Sequence, residues 1–243
     1  MKALLKEWIK VATIIIVASF FGYQTFKIPS ESMKPTLLVG DFIVVNKYCY
    51  GYSQDTFRIG TINVPFLNFK GRIFSCSLPQ RGDVVVFRNE KDKNQNYIKR
   101  IIGLPGDTIQ LKGGIVHING EAAPLVDDGE YSDIENGEYF IQKKYIEQLP
   151  NGVNHVIIKR EALGKGRLDN VGPYQVPLGH YFLMGDNRDN SQDSRVLESV
   201  GYIPIECIMG RADLIFFSSS CSWWEILKWP FSARYERILT QIK

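Results

Sequence analysis

Two serines between two prolines form the first group of side chains in this chain that could carry out chemistry. The stretch IPSESMKPT, residues 28–36, places Ser30 and Ser32 between Pro29 and Pro35. Proline fixes its own φ and restricts the residue before it, so such a loop can hold a hydroxyl in one place. Fixed positioning lowers the entropic part of a reaction barrier. The stretch indicates either a serine nucleophile or a polar turn without chemistry.

A serine nucleophile needs a base, and the chain has only three histidines. His117 and His155 lie in alternating strand patterns, and we interpret both as ordinary strand residues. The G-x-S-x-G motif is absent, which argues against an α/β-hydrolase. A lysine can replace histidine as the base, because desolvation lowers the pKa of its ammonium group.

The segment YIKRIIGLPGD, residues 97–107, contains such a lysine. In a strand, Lys99 and Arg100 point to opposite faces, and the pattern does not decide which face is inward. Arginine keeps its charge, so only Lys99 can become a base. The alternative is a strand lysine that reaches solvent. Lys34 is a rival because it lies close to Ser32, but it belongs to a polar loop in which desolvation is less expected.

The third segment is a dense polar run, GDNRDNSQDSR, at residues 185–195. A calcium-binding loop is one interpretation, but the calcium pattern fails because Arg188 occupies the position of a ligand oxygen. We favour a hydrogen-bonded polar corner that supports a site. Ser191 would be the hydroxyl in this corner that orients a neutral amine.

These segments, taken in order, resemble the type I signal peptidases, the bacterial leader peptidases. PSESMKPTL resembles that family's nucleophile motif, RGDVVVF at 81–87 the following strand, YIKRIIGLPGD the lysine motif and GDNRDNSQDSR the closing polar motif. Each motif is short, but the four in this order are specific to the family. They span residues 28–195 and therefore most of the chain.

The resemblance implies a role for individual residues. Ser32 matches the nucleophile and Lys99 the general base. Ser30 matches a hydroxyl that helps the backbone N–H of Ser32 to hold the oxyanion, and Ser191 matches the serine that orients the lysine amine. The supporting polar network would comprise Asp186, Arg188 and Asp193, and the shallow substrate pockets, which select small side chains, would be lined by Phe26, Ile28 and Ile98. No cofactor and no metal are expected.

Two features depart from the family pattern. The chain has room for one membrane helix before the serine, whereas the best-studied enterobacterial member has two. Glu31 stands where the family commonly has glycine, and the position of Lys34 is variable. Neither change affects the reacting groups.

An uncharged apolar segment precedes the nucleophile stretch. Residues 11–26 read VATIIIVASFFGYQTF, and as a helix they would rise about 24 Å against a hydrocarbon core of about 30 Å. Three lysines before the segment favour a cytoplasmic amino terminus. A cleaved signal peptide and a buried core helix are the alternatives. We expect a short cytoplasmic terminus at 1–9, a transmembrane anchor at 10–26 and an extracytoplasmic catalytic domain at 27–243.

The rest of the chain is typical of a mainly β fold. Residues 121–175 are polar and glycine-rich, and we interpret them as an inserted subdomain with long loops. Asn119-Gly120 predicts a hairpin turn. The resemblance implies a signal-peptidase-like β-barrel or sandwich core. Eight β-branched or aromatic runs bounded by turn residues predict strands at 41–48, 83–87, 97–102, 107–111, 115–118, 155–159, 181–185 and 213–217.

Composition limits the partners. A net charge of +3 over 243 residues, without an aromatic and basic tract, argues against nucleic acid. Four cysteines without a C-x-x-C pair argue against a zinc or thioredoxin-like site and leave one or two disulfides open. The tryptophan-rich stretch 222–231 fits either the headgroup region of a bilayer or an amphipathic helix packed on the domain.

The resemblance, together with the apolar segment, implies a membrane-bound serine endopeptidase that removes signal peptides from secreted preproteins. It would span the bacterial cytoplasmic (inner) membrane once, with its catalytic domain on the periplasmic side, and its partners would be signal peptides and the lipid bilayer. A LexA-like protease is disfavoured by the apolar segment, and penicillin-binding proteins by the missing S-x-x-K and K-T-G motifs. A membrane-anchored β-rich binding or assembly module without catalysis, and a peptidase specialised for one pilus or conjugation substrate, remain alternatives.

Overall fold

Antiparallel β-sheets make up most of the fold. The computed structural model describes residues 6–8, 10, 22–54, 56, 71–74, 76–92, 95–135, 138–221 and 232–243. Within these ranges fifteen strands form three sheets. Short 3₁₀ helices lie at Tyr48–Tyr50, Ile205–Cys207 and Tyr235–Arg237. The expected mainly β class is confirmed.

The largest sheet positions all three of the predicted functional segments. It has eight strands in the order β1-β2-β14-β3-β4-β12-β13, and β15 also pairs with β14. The nucleophile stretch joins β1 to β2, Lys99 lies on β4, and the polar loop follows β12. The strands are β1 (Tyr23–Lys27), β2 (Asp41–Asn46), β3 (Val84–Arg88), β4 (Asn96–Gly103), β12 (His180–Met184), β13 (Ile203–Pro204), β14 (Ile208–Ser218) and β15 (Thr240–Gln241).

Two smaller sheets complete the described fold. A four-stranded sheet has the order β11-β5-β6-β7, and a three-stranded sheet has the order β10-β9-β8. Their strands are β5 (Thr108–Lys112), β6 (Ile115–Ile118), β7 (Glu121–Ala122), β8 (Leu125–Glu135), β9 (Glu138–Gln148), β10 (Asn154–Lys159) and β11 (Val171–Gln175).

The core covers both faces of the central strands. Along β3, Val84 and Val86 belong to one buried apolar cluster, whereas Val85 and Phe87 belong to another. Successive strand residues point to opposite faces, so both faces of β3 are packed. The six residues from Ile98 to Gly103 on the neighbouring β4 are all buried. Lys99 and Arg100 therefore both lie inside the protein, although they point to opposite faces of β4.

The local strand signals agree with the structure. All eight predicted runs overlap observed strands, because β-branched and aromatic side chains pack well on a pleated, buried surface. Asn119 and Gly120 have φ values of +55° and +89° and connect β6 to β7. Two consecutive positive φ angles are the requirement of a type I′ hairpin turn, so this prediction is also confirmed.

The segment 121–175 forms long strands where long loops were expected. β8 and β9 each have 11 residues and form a hairpin. Cross-strand ion pairs such as Lys143–Glu130, at 3.0 Å, lie exposed on this hairpin. Its strands therefore carry charge where buried strands carry apolar residues, and the sequence shows no alternating apolar pattern there.

The expected transmembrane segment 10–26 lies mostly outside the described residues. Its carboxyl end is corrected, because Tyr23–Lys27 form β1, in which Tyr23 pairs with Asn46 and Phe26 with Ile43. Apolar and aromatic residues suit both a strand and a membrane helix, and the pairing with β2 decides between them. Among the residues that the structure describes, no helix is both long and apolar enough to cross a membrane. The tryptophan-rich stretch 222–231 also lies outside the described residues.

The four cysteines are free thiols in the structure. Cys207 is buried, Cys49 and Cys221 are half-buried, and Cys76 is exposed. The disulfides that the sequence left open are therefore not formed here.

Candidate active site

Buried anchors on both sides hold the loop that carries Ser32. At its start, Ile28 N–H donates to the Asp41 carbonyl at 2.8 Å, and Ile28 is 2% exposed. After the serine, Met33 and Leu37 are fully buried, and Leu37 N–H donates to the Met33 carbonyl. These apolar anchors fix the backbone around Ser32, which is itself buried.

The structure brings Ser32 and Lys99 together. Lys99 Nζ lies 2.6 Å from Ser32 Oγ and donates to the Ile98 carbonyl at 2.8 Å. Lys99 is 3% exposed. The distance is short enough for a neutral amine to accept the proton of the Ser32 hydroxyl.

Burial gives Lys99 the protonation behaviour that a base requires. Removal from water lowers the pKa of Lys99 to about 8, and Arg195 contributes in the same direction. The carboxylates of Asp193 and Asp186 oppose the effect without cancelling it. At pH 7 a group with this pKa is neutral in about a tenth of the molecules, against fewer than about one in a thousand for an ordinary lysine.

Lys34, the rival lysine, is buried as well, contrary to the expectation from its polar loop. Its amine forms ion pairs with Glu31, at 2.9 Å, and with Asp133 of β8. Burial by itself lowers the pKa of Lys34, but the two carboxylates outweigh it and raise the pKa above its ordinary value. Lys34 therefore stays charged and is unsuited to act as a base.

Ser30 lies beside the nucleophile on the exposed side. Its Oγ is 3.4 Å from Ser32 Oγ, and the residue is exposed. A hydroxyl in this position can rotate toward an oxygen atom that develops charge near Ser32. The geometry is compatible with the role that the family resemblance implies for Ser30.

Asp186 joins the three predicted segments to one another. Its carboxylate accepts hydrogen bonds from Arg100 Nε at 2.9 Å, from Arg100 Nη2 at 2.7 Å and from Thr36 Oγ1 at 2.5 Å. Burial raises the pKa of Asp186, but the Arg100 guanidinium outweighs burial and holds the pKa below its ordinary value. A charged Asp186 thus fixes the end of the nucleophile loop against β4.

Asn187 fixes the backbone at Ser32 itself. Its N–H donates to the Ser32 carbonyl at 3.1 Å, and its side-chain Nδ2 donates to the Glu31 carbonyl at 3.2 Å. Sequence reasoning missed Asn187, Arg100 and Thr36. The sequence did contain a signal for Arg100. Successive side chains of β4 point to opposite faces, so if both faces are buried, the arginine next to Lys99 must be buried as well.

Arg188 and Asp193 lie in separate ion pairs. Arg188 donates from Nη1 and Nη2 to the two Glu147 oxygens at 2.8 and 2.5 Å. Asp193 accepts two bonds from the Arg195 guanidinium, both at 2.8 Å, one from Arg195 N–H at 3.2 Å and one from Gly185 N–H at 3.0 Å. All of these groups are buried, so each arginine neutralises a carboxylate that water cannot reach.

His155 belongs to this buried network, which the interpretation as an ordinary strand residue did not foresee. Its Nε2 lies 3.4 Å from Glu147 Oε2 and 3.8 Å from Asp186 Oδ1. Burial, reinforced by Arg100, lowers the pKa of His155 to about 4. The imidazole is therefore neutral at physiological pH, because Arg188 and Arg100 already balance the two carboxylates.

Ser191 lies near the site without a hydrogen bond to Lys99. The amine instead contacts Ser32 and the Ile98 carbonyl. A methyl group added to Gly185 would come within 2.2 Å of Ser191 Oγ and 2.5 Å of the Ser32 carbonyl oxygen. Gly185 thus permits Ser191 and the nucleophile loop to approach each other, a requirement that sequence reasoning did not identify.

The three expected pocket residues share one apolar cluster. Ile28 and Ile98 are buried members of the cluster, and Phe26 packs against it. Met33, which follows Ser32, belongs to the same cluster. The structure therefore places these apolar side chains next to the loop that carries the nucleophile.

Known proteins are similar in sequence to this chain over most of its length. The family profile of "Signal peptidase, peptidase S26" matches residues 1–217. Signal peptidase I of Rickettsia canadensis is 38% identical over an alignment of 259 residues, gaps included, which covers 99% of this chain and 94% of the relative. Signal peptidase I of Rickettsia typhi is 38% identical over 247 residues, with 96% and 90% covered. A crystal structure of a signal peptidase I from Enterococcus faecalis is 24% identical, with a TM-score of 0.32 over 56% of this chain and 98% of that one. Because the profile and the Rickettsia relatives cover nearly the whole sequence, the chain belongs to the signal peptidase family, peptidase S26.

Proposed function

We propose that this protein is a membrane-bound serine endopeptidase that removes the signal peptides of secreted preproteins, with Ser32 as nucleophile and Lys99 as general base. The observation that carries the proposal is the 2.6 Å approach of Lys99 Nζ to Ser32 Oγ in an interior that lowers the lysine pKa to about 8. No metal or cofactor enters the proposed reaction.

In the proposed mechanism, neutral Lys99 takes the Ser32 proton as Oγ attacks the scissile carbonyl. The backbone N–H of Ser32 and the Ser30 hydroxyl stabilise the resulting oxyanion. The lysine ammonium then gives its proton to the leaving amine of the mature chain, and an ester forms between Ser32 and the signal peptide. Lys99 next deprotonates water, whose attack on the ester releases the signal peptide.

The buried ion pairs would support this reaction by holding the reacting side chains in fixed positions relative to one another. Asp186 connects the nucleophile loop to β4, and Asn187 fixes the backbone of Ser32. The proposed roles of Arg188 and Asp193 are to hold the polar loop rigid. Ser191 would turn toward the Lys99 amine during the reaction. Groups held by several hydrogen bonds need little reorganisation when charge develops.

The proposed substrate is an extended peptide with small side chains before the cut. β1 stands at one end of the strand order of the main sheet, and an extended peptide can add to such an edge. Phe26, Ile28 and Ile98 would line shallow pockets that exclude bulky side chains. The pockets would admit small residues one and three positions before the scissile bond.

The proposed location is the bacterial cytoplasmic membrane. An apolar anchor that ends before β1, with lysines on its cytoplasmic side, would cross the membrane once. The catalytic domain 27–243, with the segment 121–175 as an inserted subdomain, would lie on the extracytoplasmic side. The lipid bilayer is then a partner as well as the signal peptide.

The function is tested with the purified full-length protein in detergent micelles and a preprotein that carries an Ala-x-Ala site. We expect one cut directly after the second alanine, located by mass spectrometry of both products. A matched preprotein with phenylalanine in place of that alanine should stay intact, because the pocket is shallow. A preprotein with the natural site that also stays intact would contradict the proposal and favour a binding module without catalysis.

Asp133 provides a test of whether the hairpin of β8 and β9 helps to position the nucleophile. Asp133→Asn removes one charge that holds Lys34 beside Ser32, so we expect kcat to fall by about tenfold with KM nearly unchanged. Asp128→Asn on the same strand is the matched control, because its pair with Lys144 is partly exposed. Steady-state cleavage rates check both variants. Equal kcat values for the two variants would show that the Asp133 contact has no positioning role.

A further inference from the structure

Two of the four free thiols lie close to a point where the chain pairs with itself between β2 and β3. Tyr52 and Ile73 form an antiparallel bridge, in which each N–H donates to the carbonyl of the other residue, at 2.8 and 2.9 Å. Cys49 stands three residues before Tyr52, and Cys76 stands three residues after Ile73. Because antiparallel segments run in opposite directions, these equal steps lead away from the bridge toward the same end.

A hydrogen bond next to Cys76 holds its backbone against Cys49. Ser77 N–H donates to the Cys49 carbonyl at 3.2 Å, and Ser77 Oγ donates to the same oxygen at 3.0 Å. This N–H belongs to the peptide group that joins Cys76 to Ser77, so a bond of ordinary geometry places the Cα atoms of the two cysteines about 6 Å apart. Disulfides usually join Cα atoms that are about 4.4–6.8 Å apart. The backbone separation therefore suits a disulfide.

The side chain of Cys49 turns toward the segment that carries Cys76. Cys49 Sγ lies 3.6 Å from Ser77 Oγ. Cys76 is exposed, and its Sγ contacts the Phe74 carbonyl at 3.8 Å, a long contact for a weak donor. Exposed side chains change rotamer within nanoseconds, so Cys76 Sγ can leave this contact and turn toward Cys49.

The other two thiols are less suited to pair with Cys49. Cys207 belongs to the buried cluster against which Cys49 packs, but it is 3% exposed and its Sγ donates to Glu90 Oε1 at 3.6 Å. Cys221 follows β14 and is half-buried, and its N–H donates to Ser219 Oγ at 3.2 Å. A thiol must be accessible to react with an oxidant. Exposure and the backbone contact together favour Cys76 as the partner of Cys49.

We propose that Cys49 and Cys76 are a disulfide-forming pair that ties the end of β2 to the segment before β3. The exposed Cys76 thiolate attacks a disulfide oxidant and releases one thiol from it. The Cys49 thiolate then attacks Cys76 Sγ and releases the second thiol. The two cysteines thus lose two protons and two electrons, which the oxidant gains.

The compartment and the position of the bond give it a consequence. Disulfide oxidants are typical of extracytoplasmic compartments, so the assignment rests on the proposed function, which places the catalytic domain there. Cys49 N–H donates at 3.1 Å to the side chain of Asn46, the last residue of β2. A bond that closes the chain from 49 to 76 restricts the unfolded state and stabilises the fold around β2.

The test incubates the full-length protein, in neutral detergent, with about a tenfold excess of reduced over oxidised glutathione. Free thiols are then alkylated, and tryptic fragments are analysed by mass spectrometry without reduction. We expect most molecules to yield fragment 48–58 linked to fragment 73–81, a pair that reduction separates. Fragment 48–58 linked to fragment 196–211, which carries Cys207, would overturn the pairing. Glutathione adducts or alkylated thiols at both cysteines in most molecules would also overturn it.

Thermal unfolding assigns the stabilisation to this pair. The linked wild type should unfold about 5 °C or more above the reduced wild type. Cys49→Ser should give the same midpoint with and without reductant. Cys221→Ser is the matched control, since it also removes a half-buried thiol and should respond to reductant as the wild type does. An unchanged wild-type midpoint, or an equal response in Cys49→Ser, would refute the proposed tie.

Preprotein cleavage is measured in parallel on the same samples. A protein that cleaves but yields no linked fragments contradicts this proposal and leaves the proposed function standing. A linked protein that cleaves neither before nor after reduction supports the pairing and contradicts the proposed function.

Discussion

Ser32→Ala is expected to reduce kcat/KM for preprotein cleavage by about 10⁴-fold or more. The substitution removes the hydroxyl oxygen that lies 2.6 Å from the Lys99 amine and could attack a carbonyl. It removes one oxygen from a loop whose backbone is fixed by Met33, Leu37 and Asn187, so the fold should be retained. Single-turnover cleavage followed by gel and mass spectrometry measures the remaining rate.

Ser30→Ala is the matched control for this prediction. Ser30 Oγ lies 3.4 Å from Ser32 Oγ. The Ser30→Ala variant would lose one donor to the oxyanion, while Ser32 stays in place. Loss of such a donor costs about 10²–10³ in rate, clearly less than loss of the nucleophile. A Ser32→Ala protein that cleaves as fast as Ser30→Ala would show that Ser32 is not the nucleophile.

Lys99→Met is expected to reduce cleavage to a small residual rate and at the same time to stabilise the fold. Burial holds the pKa of Lys99 at about 8, whereas the unfolded chain has the ordinary value of 10.5. The unfolded state therefore binds more protons between these two values, and the free energy of unfolding of the wild type rises with pH across that window. Below pH 8 the full cost of burying this amine is present. An apolar side chain of similar length removes it, so at pH 7 we expect a gain of up to about 3 kcal/mol.

The same pKa sets the pH dependence of the reaction. Since only the neutral amine can accept the Ser32 proton, the wild-type rate should increase about tenfold per pH unit up to about pH 8 and then level off. The residual rate of Lys99→Met should lack this rise. Urea unfolding at pH 7 and pH–rate profiles are the two measurements. A variant that keeps the wild-type pH profile would exclude Lys99 as the base.

Lys34→Met is the control for the stability measurement, because the same substitution should have the opposite effect. Glu31 and Asp133 raise the pKa of Lys34 above its ordinary value, so its charge stabilises the native state until the pH rises through that pKa. Replacing it removes the cation that both carboxylates contact, and we expect the free energy of unfolding at pH 7 to decrease. Stabilisation by both substitutions would show that Glu31 and Asp133 do not compensate the burial of the Lys34 charge.

Buried ion pairs account for the rigidity that the site requires. Arg100 with Asp186, Arg188 with Glu147 and Arg195 with Asp193 are all removed from water. Replacing one partner of such a pair leaves an uncompensated charge and typically costs about 3–5 kcal/mol. Each pair connects different segments or closes the polar loop on itself, so the loop has few alternative arrangements. The polar residues of GDNRDNSQDSR are in this way largely structural, although they lie beside the reacting groups.

Much of the fold could be predicted because its strands carry local signals. The runs that became β2, β3, β4 and β12 are apolar and β-branched, and Asn119-Gly120 encodes its own turn geometry. Two regions could not be predicted for opposite reasons. Residues 23–26 continue an uncharged run that also suits a membrane helix, and β8 and β9 carry cross-strand ion pairs without an alternating apolar pattern.

The sequence by itself determined which side chains could react and which family the chain belongs to. The serines and lysines, their order along the chain and the uncharged segment before them are all legible as residue types and spacing. Each motif can be recognised from its own residues and their neighbours along the chain, without knowledge of the fold.

Only the tertiary structure decided which lysine has the lowered pKa that a base requires. Lys34 lies two residues from Ser32 and is buried, yet it is paired with Asp133, which is 99 residues away in the sequence. Lys99 is 67 residues from Ser32 and reaches it at 2.6 Å from a strand buried on both faces. The charge of a buried amine depends on solvent and on carboxylates brought near by folding, and neither is encoded in the neighbouring residues.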